Sequence, residues 1–316
     1  MDVAWNVLLL VVGFVLLVQS AKVFVNASVD IARRLRIPTM VIGLTVVAMG
    51  TSAPEVVISV SAAMGGSGDL AVANVIGSNF FNLIFIVGLC AVLYPISVKT
   101  KVISRDYWVN VAATLALLLM VIVFNDVIPR IGGLILLVGF AVYMILLVRH
   151  TLKNRTPECD IDETEAPPKP LWRSIIFAVL GAAVIMGGGM LTVDSAINIA
   201  TAMGVTERVI GLTIVAMGTS LPELVTTIIA CKKGEGEFAL GFILGSSIFN
   251  LMLVLGLAGI ITPLTIESSV LFDISVLTAA TLLFYLFVKT GQKISRMEGF
   301  ALVAIFLGYM AFVIAA

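Results

Sequence analysis

Residues 41–57 read VIGLTVVAMGTSAPEVV, and residues 209–225 read VIGLTIVAMGTSLPELV. Of the first 15 positions 13 are identical, differing at Val46/Ile214 and Ala53/Leu221. The 168-residue register continues without a gap. Gly68 matches Gly236, GSNFFNLIFIVGL (77–89) matches GSSIFNLMLVLGL (245–257), Gly13 matches Gly181 and Asn26 matches Asp194. The chain is two homologous halves, so any fold assigned to one must be available to the other.

The halves are too apolar for a soluble domain. Of the 316 residues 60% are hydrophobic and 12% charged, and mean hydropathy is +1.15. Runs of about 20 apolar residues match helices crossing a hydrocarbon layer of roughly 30 Å. Ten such segments are expected, at about 5–27, 37–63, 69–95, 106–125, 130–149, 171–200, 206–231, 236–263, 268–289 and 297–315. The first has no basic residues ahead of it and reads as a retained span, not a cleaved signal peptide. The acidic, proline-rich stretch KNRTPECDIDETEAPPKP (153–170) cannot bury a core and reads as a linker. The predicted organisation is a first five-helix repeat (1–150), a linker (151–170) and a second repeat (171–316). Five spans is an odd number, so the second half enters the membrane from the opposite side. The expected fold is all-α, with ten transmembrane helices in two inverted repeats.

Basic residues orient the chain. With the N-terminus outside, 16 of the 19 Lys and Arg residues fall on the cytoplasmic side, only Arg130 and Arg208 fall outside, and Lys22 lies in or at the end of the first span. By the positive-inside rule both termini face outward, the linker is cytoplasmic, and the chain is a multi-pass cell-membrane protein. Trp5, Trp108 and Trp172 fall near span ends, where indole rings favour headgroup depth. Net charge is zero, which implies no nucleic-acid surface. Cys90, Cys159 and Cys231 show no paired spacing, arguing against a disulfide framework or a zinc site. A lone His150 at a span end reads as an interfacial residue.

The duplicated motif carries the chemistry. Glu55 and Glu223 lie near mid-span, where a carboxylate is tolerated mainly if it is paired or faces a wet cavity. Proline kinks serve packing in many membrane helices, but packing does not explain an acid repeated with two preceding hydroxyls. Pro54 and Pro222 lack an N–H and free the Gly50 and Gly218 carbonyls. On a continuous helix Thr51 and Ser52 share a face with Glu55, and Thr219 and Ser220 with Glu223. Ser78 with Asn82, and Ser246 with Asn250, stand at i, i+4 in the third and eighth spans. Alone these four fit interhelical hydrogen bonding equally well; their symmetry with the glutamates favours a shared site. All are hard oxygen donors, suited to Ca²⁺ or Na⁺, while Mg²⁺ demands tighter geometry. Two ionised glutamates balance one Ca²⁺ or two Na⁺. Burial of both acids together also lets protons compete with metal.

GTSAPE and GTSLPE, followed by GSNFFN and GSSIFN, resemble the alpha-repeats of the sodium/calcium exchanger family, in the cation/calcium antiporter superfamily. The resemblance covers essentially the whole chain and points to a compact prokaryotic-type member. It implies a transporter and not an enzyme: an antiporter extruding Ca²⁺ against inward Na⁺ by alternating access, with no cofactor and no obligatory protein partner. By the family's pattern Ca²⁺ is held by Glu55, Glu223 and the Thr51 and Thr219 carbonyls. Flanking Na⁺ sites then use Ser52, Ser220, Ser78, Ser246 and the Ala48 and Ala216 carbonyls, with Asn82 and Asn250 lining the middle. Potassium-dependent members favour an acid at the position of Asn250, so the asparagine here argues against K⁺ co-transport. The linker is too short for the folded Ca²⁺-sensing domains of animal relatives. The first and sixth spans are expected to slide as a gate. A Ca²⁺/H⁺ antiporter using the same glutamates is the nearest alternative, and a cation channel fits the broken-helix repeat less well.

Overall fold

The computed structural model describes residues 3–97, 100–153, 170–204, 216–291 and 293–315. Among the described residues, eleven main helical elements frame the chain. They are α1 (Val3–Leu35), α2 (Thr39–Thr51), α3 (Ala53–Met64), α4 (Gly68–Leu93), α5 (Thr100–Val123) and α6 (Arg130–Lys153), then α7 (Leu171–Ala202), α8 (Leu221–Lys232), α9 (Gly236–Ile261), α10 (Ser268–Gly291) and α11 (Arg296–Ala315). A short turn, Ala216–Gly218, precedes α8. Among the described residues eight helices are long and apolar enough to cross a membrane, or nine if the bent pair α2–α3 is one span. The predicted seventh span, 206–231, begins in residues outside those described, as does most of the 151–170 linker. Helix α6 runs through the expected boundary at residue 150 as far as Lys153.

Burial separates a core from a periphery. The most apolar windows of α4 and α9 are 78% and 89% buried, against 28% for α1 and 33% for α7. α4 and α9 are therefore central, while α1 and α7 leave most of their side chains facing outward. At about 1.5 Å per residue, 33 and 32 residues make each outer helix close to 50 Å long, well beyond the hydrocarbon thickness. They pack antiparallel through small residues: a Cβ on Gly13 would sit 2.9 Å from the Gly188 carbonyl. Backbones meet there, as small residues permit in membranes. Similarly, a Cβ on Gly245 would lie 2.5 Å from the Leu44 carbonyl, which shows how tightly α9 holds α2.

The 168-residue register is visible in chain reversals. Gly66 and Gly234 stop α3 and α8 at φ of 80° and 79°, and the following N–H reaches back to Ala62 and Ala230 respectively. That is the left-handed helix cap glycine favours. Two short strand pairs tie loops together. β1 (Ile96–Ser97) pairs antiparallel with β4 (Lys293–Ile294), and β2 (Val127–Ile128) with β3 (Leu264–Thr265). Residues 96 and 264 are 168 apart, so each half lends one such strand to a pair made with the other half. Ile96, Ile294, Ile128 and Leu264 anchor these pairs in the interior. The fold also brings together what cysteine spacing did not suggest: Cys90 on α4 and Cys231 on α8 are neighbouring buried free thiols. Cys159 lies outside the described residues. His150 is exposed on the last turn of α6.

Candidate cation site

Each copy of the motif breaks its helix at the serine. α2 and α3 meet at 50°, with Ser52 as the joint at φ −83°, ψ 11°. Ser220 adopts φ −93°, ψ 9° ahead of α8. Pro54 and Pro222 then fall in the first turn of the new helix, where a missing N–H leaves no bond unmade. Glu55 and Glu223 occupy the same first turns, at the positive end of the helix dipole, which favours a carboxylate.

This break corrects the expectation that each hydroxyl pair shares a helical face with its own glutamate. The helix does not continue from Thr51 to Glu55, so the serines reach across to the other copy. Ser52 donates to Glu223 Oε1 at 3.5 Å, and Ser220 to Glu55 Oε1 at 3.5 Å. The central helices complete the crossing. Ser52 and Ser246 hydroxyls are 2.8 Å apart, Ser78 and Ser220 are 3.0 Å apart, and Ser78 donates to Glu55 Oε1 at 3.3 Å. Asn82 Nδ2 donates to Ser246 Oγ at 3.4 Å and Asn250 Nδ2 to Ser78 Oγ at 3.3 Å.

Glu55, Glu223, Ser52, Ser220, Ser78, Ser246, Asn82, Asn250, Thr51 and Ala48 are all buried, between 0% and 1% exposed. Thr51 donates to the Val47 carbonyl at 3.2 Å. The Ala48 carbonyl accepts from the Ser52 N–H at 3.1 Å. Thr219 is only half-buried, and Ala216 opens the turn before it. Both asparagines stand in π-helical stretches, Phe81–Ile86 and Phe249–Val254, a widened geometry common at functional positions.

Among the described residues, four carboxylate and amide oxygens of this cluster are buried without a hydrogen-bond partner: Glu55 Oε2, Glu223 Oε2, Asn82 Oδ1 and Asn250 Oδ1. An unsatisfied buried acceptor costs roughly 1–3 kcal/mol, more for a charged group. Four around one network of hydroxyls are poor packing but a suitable coordination shell for a hard cation.

Asn79 and Ser247 were not among the expected site residues. Asn79 Oδ1 accepts from Asn250 Nδ2 at 3.2 Å, and Asn79 Nδ2 donates to the Ser247 carbonyl at 3.1 Å. The signal available was their place beside Ser78 and Ser246 in the repeated block.

A multi-pass helical chain whose broken helices surround buried oxygen ligands has the form of a membrane transporter of cations. Comparison with known proteins gives the family: the Sodium/calcium exchanger protein family model matches residues 5–149 and 173–315. The chain belongs to the sodium/calcium exchanger family, as a compact antiporter of the prokaryotic type. It is 40% identical over 305 residues to CaxA of Alkalimonas amylolytica, covering 94% of this chain and 95% of that protein. It is 32% identical over 342 residues to the sodium/calcium exchanger MaX1 of Methanosarcina acetivorans, covering 96% and 97%. Among solved structures it is similar to the sodium-calcium exchanger NCX_Mj soaked with 10 mM Na⁺ and no Ca²⁺. That match has a TM-score of 0.84 and 31% identity, over 98% of this chain and 99% of that one.

Proposed function

We propose that this antiporter exchanges Na⁺ for Ca²⁺ by alternating access, binding both at the oxygen cluster between two inverted repeats. The observation that carries this reading is the set of four unpartnered buried oxygens, two from carboxylates and two from amides. Glu55 and Glu223 supply two negative charges, which one Ca²⁺ or two Na⁺ balance. Ca²⁺ takes six to eight oxygens at 2.3–2.6 Å. The glutamates and asparagines with the Thr51 and Thr219 carbonyls form its shell, while Ser52, Ser220, Ser78, Ser246 and the Ala48 and Ala216 carbonyls serve Na⁺. With only two carboxylates, a third Na⁺ leaves net positive charge, so exchange at that ratio carries current. The asparagine at position 250 weighs against K⁺ co-transport.

Coupling follows from charge. Two bare carboxylates in an occluded site are strongly disfavoured, so the carrier crosses only when cations neutralise them. α1 and α7 are the moving gate, sliding over α4 and α9, whose deeper burial suits a static core. The excess of basic residues places both termini outside the cell membrane and the linker within the cytoplasm. Repeats 1–150 and 171–316 then have opposite topology.

⁴⁵Ca²⁺ uptake into proteoliposomes loaded with Na⁺, K⁺ or acid tests the assignment, with Glu55→Gln as control. Uptake driven by outward Na⁺ alone, and lost in the variant, is expected. Uptake driven by the pH gradient instead assigns the glutamates to Ca²⁺/H⁺ exchange, and gradient-independent flux assigns a channel. A crosslink between α1 and α4 should stop exchange; unaltered flux would remove α1 from the gate.

A further inference from the structure

The two ends of the α1–α7 pair occupy equivalent positions in the repeat but are not built alike. The 168-residue offset carries Asn6 to Ser174 and Asp30 to Asn198. At one end the pair is closed, with Asn198 Nδ2 donating to Asn6 Oδ1 at 3.1 Å. At the other a cavity of about 130 Å³ separates the helices, lined by Val23, Asn26, Ala27, Asp30, Ser174 and Phe177. Ser174 is 0% exposed, and its hydroxyl has no hydrogen-bond partner among the described residues. A buried hydroxyl left unpaired beside a carboxylate awaits a ligand rich in N–H donors and positively charged.

The neighbouring surface supplies the opposite charge. A second groove shares Phe177 and adds Trp172, Arg173 and Ile176, with the Arg173 guanidinium 5.1 Å above the Trp172 ring. Trp172 is exposed in the first turn of α7 and marks headgroup depth, and the exposed Ile175, Ile176, Val179 and Leu180 follow as a lipid-facing surface. An anionic group on Arg173, a cationic group at Asp30 and an apolar stripe beyond them match a zwitterionic lipid. A choline headgroup has no N–H for Ser174 or Asp30.

We propose that this end of the α1–α7 pair binds an aminophospholipid, its primary ammonium between Asp30 and Ser174 and its phosphate on Arg173. Native mass spectrometry of the purified full chain with phosphatidylethanolamine, phosphatidylcholine and phosphatidylglycerol of identical acyl chains tests it. Wild type should retain phosphatidylethanolamine about tenfold better than phosphatidylcholine, the scale of one charge-assisted hydrogen bond. Asp30→Asn should erase that preference while leaving phosphatidylglycerol retention unchanged, and Arg173→Gln should weaken all three. Ser174→Ala, a smaller change, should reduce the preference several-fold and serves if Asp30→Asn does not fold. Equal retention of the ethanolamine and choline lipids by wild type overturns the proposal, as does a preference that survives both cavity variants. A Na⁺ adduct lost in Asp30→Asn, without any lipid preference, overturns it in favour of a metal-ion site.

Discussion

The two copies of the motif are nearly identical in sequence and unlike in surroundings. Thr51 is fully buried and donates to the Val47 carbonyl, whereas Thr219 is half-buried and its hydroxyl has no partner among the described residues, which exclude Val215, the register equivalent of Val47. A Cβ on Gly50 would meet Ala182 at an ordinary 3.7 Å; one on Gly218 would lie 2.6 Å from Val193. Yet the groups aimed at the other copy match closely, with Ser52 to Glu223 and Ser220 to Glu55 both at 3.5 Å. The motifs share sequence while the neighbours they meet, Ala182 and Val193, do not occupy equivalent positions in the repeat. In the proposed inverted repeat, equal environments would make the site equally accessible from both sides. Unequal flanks around a matched centre are what a carrier caught on one side of its cycle should show.

The largest effect should come from the matched centre. Glu55→Gln and Glu223→Gln each remove one of the two charges of the proposed Ca²⁺ site, and each should lower Na⁺-driven ⁴⁵Ca²⁺ uptake by about 100-fold or more. Equal losses would establish equivalence at the centre. A loss confined to one variant would mean that the pseudo-symmetry of distances does not extend to ligation.

Packing offers a way to disturb one flank alone. Gly245→Ala puts a methyl 2.5–2.8 Å from the Leu44 backbone and must push α2 away from α9. Overpacking of this kind costs about 1–3 kcal/mol, so melting in detergent should fall by several degrees. The strain acts first on Thr51 and Ser52. An unchanged melting temperature would show that the α2–α9 contact yields easily and does not hold the first motif.

Serine substitutions probe the crossing. Ser52→Ala removes contacts to Glu223 and Ser246, and Ser220→Ala removes those to Glu55 and Ser78. Each should raise the Na⁺ concentration for half-maximal exchange by roughly fivefold to tenfold. Under the rejected same-helix geometry Ser52→Ala would act on Glu55. A double-mutant cycle of Ser52→Ala with Glu223→Gln against Ser52→Ala with Glu55→Gln distinguishes the two, since directly contacting pairs couple more strongly.

How much of this was legible in sequence follows from which interactions are local. The apolar runs announce spans because hydrocarbon imposes a length on any helix that crosses it. Ser52, Glu55, Ser78 and Asn82, with their counterparts, stand out because polar groups there are expensive and were written twice. The cross-pairing was not legible. Reading GTSAPE as one helix places Ser52 over Glu55, and only the break at Ser52 turns its hydroxyl toward Glu223. The π-helical stretches at Asn82 and Asn250 leave no local mark, because they depend on how α4 and α9 pack against everything around them. The cavity beside Ser174 was hidden for a related reason. Its register partner is Asn6, and nothing in a serine signals that its hydroxyl will be left unpaired.

The smallest and most discriminating effect concerns the threonines. Thr51→Val is nearly isosteric, but it removes a buried hydroxyl that bonds the Val47 carbonyl, so the melting temperature should fall by a few degrees, about 1 kcal/mol. Thr219→Val removes a hydroxyl with no partner among the described residues, so stability should hold or rise slightly. Turnover should obey a different rule. In the proposed alternating-access cycle of inverted repeats, the two flanks exchange environments and Thr219 then occupies the buried, bonded position. Both variants should therefore slow exchange to a similar extent, about twofold to fivefold, despite their unequal effect on melting. If flux instead falls only in Thr51→Val, the flanks are fixed features of the two motifs and do not alternate.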